Sequence, residues 1–260
     1  MLNNQVLISK AQIKFIRSLH DKKHRIEEGL FIVEGEKIIV ELLNSPNNNI
    51  HSVFAVNEFI VRYANQLKRL SSEKVHLINE KELAQISNLQ SPNLALVVVH
   101  FAATKAIEIQ TVKKYILLDN IKDPGNLGTI IRTADWYGID TIFCSPDCVE
   151  STNPKVIQAT MGSFFRVNIC EVSLSDLIEQ HKSITTYGAV LEGENVYNTE
   201  FNEGGFLVIG SESHGISEEL KTLIDKKIRI PSIGKAESLN ASIATAILCS
   251  EWARQVNFKI

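Results

Sequence analysis

Three short segments in the second half of the chain combine glycine with polar side chains, and each follows an apolar run typical of a β-strand. The first is DNIKDPGNLGTIIR, residues 119–132, in which Pro124, Gly125 and Gly128 predict a tight turn into a helix. Such a turn can bind phosphate through its free backbone N–H groups. The spacing is neither GxGxxG nor a P-loop, so the segment predicts neither an NAD site nor a nucleoside triphosphate site.

The second segment, GSESHG at residues 210–215, contains the three residue types of a hydrolase triad. Ser213 follows Gly210 by three residues, so the GxSxG spacing of a nucleophile elbow is absent. Neighbouring side chains of an extended segment also point in alternating directions. The sequence therefore disfavours a serine hydrolase, and the two glycines favour a close approach of the backbone to a flat ligand.

The third segment is IRIPSIGKAESLNASIATAI, residues 228–247. A short apolar strand stops at Pro231, which cannot donate to a sheet ladder, and a helix with apolar residues at helical spacing starts at about Ala241. The polar loop between them predicts side chains and free N–H groups at the carboxyl edge of a parallel sheet. An ordinary helix start capped by Ser238 or Asn240 would explain the same pattern, so this segment alone leaves both interpretations open.

The elements that must position these loops alternate between strand and helix along the chain. Six strands are predicted in the C-terminal part, at residues 115–118, 141–144, 166–170, 184–190, 206–209 and 227–230. Four more are predicted before residue 102, at residues 30–33, 50–56, 74–78 and 94–101. This alternation predicts an α/β fold with a mostly parallel C-terminal sheet. We predict a smaller N-terminal α/β domain at residues 1–102, a linker at 103–113 and a larger domain at 114–260.

The composition is that of an ordinary globular protein, with 44% hydrophobic and 22% charged residues. The sequence has no apolar run of about 18 residues and no signal-peptide core, so we expect no membrane span and a cytoplasmic location. The four cysteines form no CxxC pair, which disfavours a zinc site and favours reduced thiols. We therefore expect no metal.

Basic residues are concentrated in one amphipathic helix, which is predicted at residues 9–25. The net charge of the whole chain is −3, but in this helix Asp21 alone opposes six cations, which are Lys10, Lys14, Arg17, Lys22, Lys23 and Arg25. Such a cluster is typical of contact with a phosphate backbone, and it predicts that these six residues bind RNA or DNA. A solvated helix face is the alternative interpretation.

Taken together, the three polar segments resemble the ordered motifs of the SpoU/TrmH family of RNA ribose 2′-O-methyltransferases, in the SPOUT superfamily. The matching stretches are NLGTIIRTADWYG, IGSESHGIS and IPSIGKAESLNASIATAI. Nearer the N-terminus, FIVEGEKIIVELL and the α/β unit around it resemble the L30e-like substrate-binding domain of the same family. The resemblance spans nearly the whole chain.

The resemblance implies a C-terminal domain tied in a trefoil knot, S-adenosylmethionine as cofactor and a homodimer. The implied catalytic residues are Asn126, Arg132, Glu212, Ser238 and Asn240. The implied cofactor-binding residues are Val190, Leu191, Gly193, Ile209, Gly210, Gly215, Ile230, Ser238, Leu239 and Ala244. Thr160 and Gly162 resemble a further loop of the family.

The reaction that the resemblance implies is methylation of a ribose 2′-hydroxyl, in 23S ribosomal RNA. We expect Arg132 to clamp a phosphate and to stabilise the developing alkoxide, because a guanidinium with a pKa of about 12 or higher is a poor base. Ser238 and Asn240 would orient the ribose, and Glu212 would hold Asn126 or Arg132. Transfer RNA is the alternative substrate, and a non-catalytic RNA-binding or ribosome-assembly factor is the alternative function.

Overall fold

The computed structural model describes residues 8–46, 49–101 and 107–257. The chain divides into two compact units, and each unit is built from more than one stretch of sequence. The first comprises Met1–Ala103 and Thr152–Phe165, and the second comprises Thr104–Ser151 and Arg166–Ile260. No helix in the described ranges is long and apolar enough to cross a membrane.

The first stretch of the chain forms a four-stranded sheet in the order β1-β4-β2-β3. Its central strand β4 pairs antiparallel with β1 and β2, and five of its six residues are buried. This confirms the strand predicted at residues 94–101, and its uninterrupted apolar sequence is typical of a strand buried on both faces. The elements are α1 (Lys10–Ser18), α2 (Lys22–Glu28), β1 (Leu30–Glu34), α3 (Glu36–Asn44), β2 (Ile50–Ala55), α4 (Asn57–Arg62), α5 (Ala64–Leu67), β3 (Val75–Leu77), α6 (Glu80–Ile86) and β4 (Ala95–His100).

The rest of the chain forms a six-stranded sheet in the order β10-β8-β9-β5-β6-β7, and all of its neighbouring strands run parallel. This confirms the predicted α/β class and the parallel C-terminal sheet. Because the strands are parallel, the loops that follow them meet at one edge. The elements are β5 (Lys114–Leu118), α7 (Pro124–Trp136), β6 (Thr141–Cys144), α8 (Pro154–Thr160), β7 (Asn168–Glu171), α9 (Leu174–Gln180), β8 (Thr186–Asn195), β9 (Gly205–Ile209), α10 (Glu218–Lys221), β10 (Lys226–Arg229) and α11 (Ala241–Val256).

The basic segment at residues 9–25 forms two helices, not the single helix predicted. The first, α1, begins with a capping box in which Ser9 and Gln12 each accept a hydrogen bond from the other's backbone N–H. The chain then turns, and the side chain of Asp21 caps α2 by accepting a hydrogen bond from the backbone N–H of Lys23 at 2.8 Å.

Arg25 is the one residue of the basic cluster that the fold removes from the surface. It is only 2% exposed, and its Nη1 donates to the carbonyl oxygens of Leu19 and His20 at 2.9 and 2.8 Å. These carbonyls lie at the end of α1, where the helix itself supplies no N–H donors. Arg25 is therefore a structural residue, and the prediction that it contacts RNA is wrong.

The segment Thr152–Phe165 belongs to the first unit, although we predicted it as part of the domain at residues 114–260. Ile157 on α8 is 1% exposed and joins the hydrophobic core that contains Phe31 of β1. Phe164 and Phe165 pack against the same core. The predicted linker at 103–113 lies partly in residues 102–106, outside the described residues.

Thr160 and Gly162 also have structural roles in this segment. The hydroxyl of Thr160 is buried and donates to the carbonyl of Ile157 at 2.7 Å. Gly162 has a φ of +100°, and a Cβ at this position would lie 2.7 Å from Cγ of Glu41. Only glycine fits both that conformation and that space.

Candidate active site

The loop after β5 places Asn126 in the first turn of α7. Asp123 is the N-cap of this helix, and its Oδ1 accepts a hydrogen bond from the backbone N–H of Asn126 at 2.8 Å. Pro124 occupies the first helical position, where its missing N–H costs no hydrogen bond. Asn126 is 9% exposed, so its amide is fixed in position at the carboxyl edge of the sheet.

The loop after β9 is a closed turn that presents Glu212. Ser211 and Gly215 exchange two backbone hydrogen bonds, of 3.1 and 2.8 Å, across its base. A Cβ on Gly210 would lie 2.1 Å from the carbonyl carbon of Gly215, so a side chain at Gly210 would prevent this closure. The turn thus holds Glu212 at a fixed height above the strand ends.

The three polar segments meet at one carboxylate oxygen. Oε1 of Glu212 accepts hydrogen bonds from Nδ2 of Asn126 at 2.6 Å, from Nδ2 of Asn240 at 2.8 Å and from the backbone N–H of Ala241 at 3.4 Å. Nδ2 of Asn240 also donates to Oδ1 of Asn126 at 2.8 Å. The structure therefore contains the expected contact between Glu212 and Asn126, and it adds Asn240 to the same network.

The orientation of the Asn240 amide is set by the helix that it caps. Its Oδ1 accepts hydrogen bonds from the backbone N–H groups of Ser242 and Ile243 at 3.0 and 3.3 Å, and from the Ser242 hydroxyl at 2.6 Å. With the oxygen held at the start of α11, the NH₂ group faces Glu212 and Asn126. The cap is therefore Asn240, so the alternative that Ser238 caps this helix is wrong.

Arg132 and Ser238 lie outside the network. Both are exposed, and neither side chain forms a hydrogen bond or an ion pair with another residue in the described part of the chain. Arg132 lies on α7, whereas Ser238 lies in the loop before α11. Glu212 thus holds Asn126 and not Arg132, which leaves the guanidinium available to an anionic substrate.

A cavity of about 640 Å³ adjoins the network on the side of β8, β9 and β10. Glu212 and Ala241 line it, so the network forms part of its wall. Nine of the ten predicted cofactor-binding residues line the same cavity, namely Val190, Leu191, Ile209, Gly210, Gly215, Ile230, Ser238, Leu239 and Ala244.

Gly193 is the tenth of these residues, and the structure does not place it in the cavity wall. A Cβ on Gly193 would lie 2.6 Å from the backbone nitrogen of Ile228. The register of β8 and β10 shifts between Lys227 and Ile228, directly beside it. Gly193 therefore permits the close approach of these two strands.

Sequence reasoning missed two residues that support the network. Asp123 fixes Asn126 as the N-cap of α7, and Ser242 fixes the Asn240 amide. A short-range sequence pattern could have predicted the role of each residue. Asp123 lies three residues before the N–H that it binds, and Ser242 lies two residues after an N-cap asparagine. The four basic residues of the cavity wall, Lys221, Lys227, Arg229 and His214, were also not predicted.

A cysteine pair, Cys144 at the end of β6 and Cys148 in the turn after it, lies next to the loop that leads into α7. Sγ of Cys148 accepts a hydrogen bond from the backbone N–H of Ile121 at 3.3 Å. The thiol of Cys144 and the hydroxyl of Ser145 lower the pKa of Cys148 to about 7, although burial opposes this effect. The hydrogen bond with Cys148 raises the pKa of Cys144, and burial raises it further. In the described residues no group of three or more His, Cys, Asp or Glu side chains could hold a metal ion.

Comparison with protein families gives two matches along the chain. Residues 113–250 match the SpoU rRNA Methylase family, and residues 10–96 match the MRM3-like substrate binding domain. The first match includes all three polar segments that the fold brings together. Each match falls in one of the two regions that the sequence analysis separated.

Whole-length relatives and solved structures agree with these matches. The chain is 29% identical to the 23S rRNA (guanosine(2553)-2′-O)-methyltransferase RlmP of Bacillus subtilis over 253 residues, which cover 94% of this chain and 97% of the relative. It also resembles the structure of a TrmH-family protein from Porphyromonas gingivalis, with 35% identity, a TM-score of 0.84 and coverage of 95% and 99% of the two chains.

A second similar structure carries a cofactor. It is an AdoMet-bound rRNA methyltransferase from Sinorhizobium meliloti, with 29% identity, a TM-score of 0.86 and coverage of 96% of both chains. The family match covers more than half of the chain and contains the whole hydrogen-bonded network. The chain therefore belongs to the SpoU rRNA Methylase family.

Proposed function

We propose that the protein transfers a methyl group from S-adenosylmethionine to a ribose 2′-hydroxyl of 23S ribosomal RNA. The observation that carries this proposal is the position of Glu212, which lines the cavity and also binds Asn126 and Asn240. A cofactor in the cavity and a ribose at the two asparagines would thus lie on either side of one fixed carboxylate. The 23S rRNA activity of the Bacillus subtilis relative supports the substrate class.

The cavity suits S-adenosylmethionine in its hydrogen-bonding groups and its apolar lining. The backbone N–H groups of the loop at residues 230–239 donate to no backbone carbonyl in the described ranges, so they are available to a heteroaromatic base. Ile209, Ile228 and Leu248 add apolar surface to the same wall, as ligand pockets commonly have. When bound, the cofactor supplies an electrophilic methyl group on a positively charged sulfur.

The side chains of the network would position the ribose. Asn126 and Asn240 are held by hydrogen bonds to each other and to Glu212, so their amides need little reorganisation when a substrate binds. Ser238 is exposed in the loop beside them and can reach a substrate hydroxyl. Because positioning alone can remove much of the barrier of a two-reactant step, this rigidity accounts for part of the proposed catalysis.

Arg132 would stabilise negative charge on the RNA. A guanidinium presents a rigid fork of N–H donors that suits a phosphate, and it does not deprotonate readily. Since Arg132 has no partner within the described ranges, we assign it to the phosphate next to the target ribose. In that position it also stabilises the oxyanion that forms as the 2′-hydroxyl loses its proton.

RNA would also bind along α1 and α2 of the first unit. Lys10, Lys14 and Arg17 are all exposed and share one face of α1, because they are spaced by four and three residues. Lys22 and Lys23 are exposed in the first turn of α2. The match of residues 10–96 to a substrate binding domain supports this assignment.

We also assign to the protein a homodimeric state, a trefoil knot and a cytoplasmic location. An exposed Trp136 on α7 and an exposed Ile243 on α11 support the dimer, because these two helices pack together and large exposed apolar side chains mark interfaces. The knot is supported by the path of the chain from β10 at the sheet edge to α11, which packs beside α7 and whose first residue donates a backbone hydrogen bond to Glu212. Ribosomal RNA as substrate supports the cytoplasm.

The test is a methyl-transfer assay on unmodified RNA made in vitro. The proposal requires cofactor binding by calorimetry and methyl transfer to a 23S rRNA transcript, followed by mapping of the modified ribose in RNA from cells with and without the gene. Transfer to transfer RNA transcripts alone would establish the alternative substrate. Cofactor and RNA binding without transfer to either RNA would instead favour a non-catalytic assembly factor.

A further inference from the structure

A β-bulge in the sheet of the first unit presents a histidine that the proposed function does not use. The pairing of β2 with β4 matches Ile50 to Val99 and Ser52 to Val98, so His51 is an extra residue without a partner in this ladder. Bulges of this kind re-aim a side chain and are frequent beside functional sites. His51 is exposed between two buried neighbours, Ile50 and Ser52.

Two further basic side chains adjoin His51. The rings of His51 and His100 lie edge to face, with centroids 5.2 Å apart and an interplanar angle of 62°. Nζ of Lys74 donates to the carbonyl oxygen of Ile50 at 2.7 Å, directly before the bulged residue. These contacts connect a residue of β2, a residue of β4 and the residue before β3 into one cluster, which we call the bulge cluster (His51, Lys74 and His100).

Within the described residues, no acidic group pairs with the bulge cluster. Burial lowers the pKa of His51, and the positive charges of His100, Lys74 and His76 lower it further. In the described ranges no carboxylate forms an ion pair with His51, Lys74 or His100. Like charges that approach without a counter-ion favour an anionic ligand, because that ligand removes their mutual repulsion.

We propose that the bulge cluster binds a phosphate of the substrate RNA, as a contact separate from the lysines of α1 and α2. The proposal rests on the proposed function, since it assumes that RNA is the substrate. An extended polyanion suits the cluster better than a small anion does. A small anion is usually held in a concave ring of backbone N–H groups, whereas His51 and His100 are exposed side chains on strands and form no such ring. Imidazole rings can in addition stack on unpaired bases.

The proposal predicts a proton-linked affinity. Phosphate favours the charged form of the His51 imidazole, so RNA binding takes up a proton and strengthens as the pH falls from about 8 to about 6. His51→Gln together with His100→Gln removes this dependence and weakens binding of a 23S rRNA transcript about tenfold at the lower pH. His51→Arg carries a permanent charge and keeps the affinity high at both pH values.

The measurement is RNA affinity by filter binding at several pH values and salt concentrations, with His181→Gln of the second unit as the matched control. Cofactor affinity and the unfolding midpoint stay at wild-type values in all variants, which separates loss of a contact from misfolding. If the double variant kept the RNA affinity and the pH dependence of the wild type, the inference would be overturned. The proposed function would still stand in that case, provided that the wild-type protein transfers methyl groups to the transcript. A wild-type protein that binds no RNA would overturn both. Chemical shifts of His51 and His100 that respond to inorganic phosphate but not to the transcript would overturn the RNA assignment.

Discussion

The carboxylate of Glu212 distributes its hydrogen bonds unevenly between its two oxygens. All three donors within the structure bind Oε1, whereas Oε2 accepts no hydrogen bond from the described residues. Because Glu212 also lines the cavity, one oxygen assembles the protein network and the other is free for a ligand donor. A single residue thus connects the two amides that we propose to position the ribose with the proposed cofactor site.

Asn240→Asp tests whether the NH₂ group of Asn240 is required. The substitution puts a second carboxylate against Glu212, where the two heavy atoms are now 2.8 Å apart, and two carboxylates at that distance cannot both ionise without a large cost. We expect loss of methyl transfer and a lower unfolding midpoint at about pH 7.5. The midpoint should recover toward that of the wild type as the pH falls to about 5, because the pair then holds a proton.

Asn240→Ala is the control for that variant, because it removes the helix cap and the NH₂ donor without adding charge. It should cost about 1 kcal/mol of unfolding free energy, with no recovery at low pH relative to the wild type. If both variants showed the same pH profile in thermal unfolding, the contact between Asn240 and Glu212 would not have the role assigned to it.

Arg132→Lys tests the phosphate clamp. Lysine keeps the positive charge but loses the rigid fork of donors, so we expect the loss of most methyl-transfer activity with an unchanged cofactor affinity by calorimetry. Arg69→Lys, at an exposed arginine of the first unit, is the control. Turnover of Arg132→Lys equal to that of Arg69→Lys would exclude the clamp.

At the scale of elements, the corner between α1 and α2 depends on the buried guanidinium of Arg25. Arg25→Ala leaves two carbonyl groups without their donor and opens a cavity, so we expect a loss of about 2–4 kcal/mol in the free energy of unfolding. Denaturant unfolding followed by circular dichroism measures this change.

Lys14→Ala is the matched variant on the exposed face of α1. It should change the unfolding free energy by less than about 0.5 kcal/mol while weakening RNA binding and its salt dependence. If Arg25→Ala instead left stability unaltered and weakened RNA binding alone, Arg25 would belong to the RNA-binding residues after all.

The corner between α1 and α2 also shows which features could be predicted from the sequence and which could not. β6 has the predicted bounds, Thr141–Cys144, because the apolar pattern of a strand acts within a few residues. Arg25 was misassigned because its partners are carbonyls, which no sequence pattern reveals. The bulge at His51 escaped prediction for a related reason, since it depends on the register with another strand.

The candidate site, too, could be predicted from the sequence only in part. Its residues Asn126, Glu212 and Asn240 follow strands of one parallel sheet, so their approach was predictable from the order of the elements. Their individual hydrogen bonds were not, because each depends on side-chain geometry across more than 25 residues of sequence. The role of Ser242 emerges only once the direction of the Asn240 amide is known.

At the scale of the whole molecule, the proposed dimer has a clear test in Trp136, which is 83% exposed on α7. Exposed tryptophans are enriched among residues that dominate interface energies. Trp136→Ala should raise the dimer dissociation constant at least about tenfold, as measured by sedimentation, without lowering the unfolding midpoint. Val61→Ala, at an exposed apolar residue of α4, should leave the dimer unchanged. A wild-type protein that sediments as a monomer would exclude the assignment.

Ile157→Ala tests whether α8 stabilises the first unit. Ile157 is 1% exposed in the core around Phe31, and truncation of a buried isoleucine typically costs about 2–5 kcal/mol. We expect faster hydrogen exchange of the amides of β1 and β4. Val112→Ala, at an exposed valine of the second unit, is the control. Equal exchange in both variants would show that α8 is dispensable to that core.

The family match and the hydrophobic core assign α8 to different parts of the protein. The SpoU family match at residues 113–250 includes the segment Thr152–Phe165, yet this segment completes the core of the unit that contains residues 10–96. A chimera that joins the substrate-binding half of one relative to the methylase half of another would therefore combine a core with a foreign helix. We expect Ile157 and Phe164 to vary among relatives together with Phe31, and a successful graft to carry both stretches of sequence.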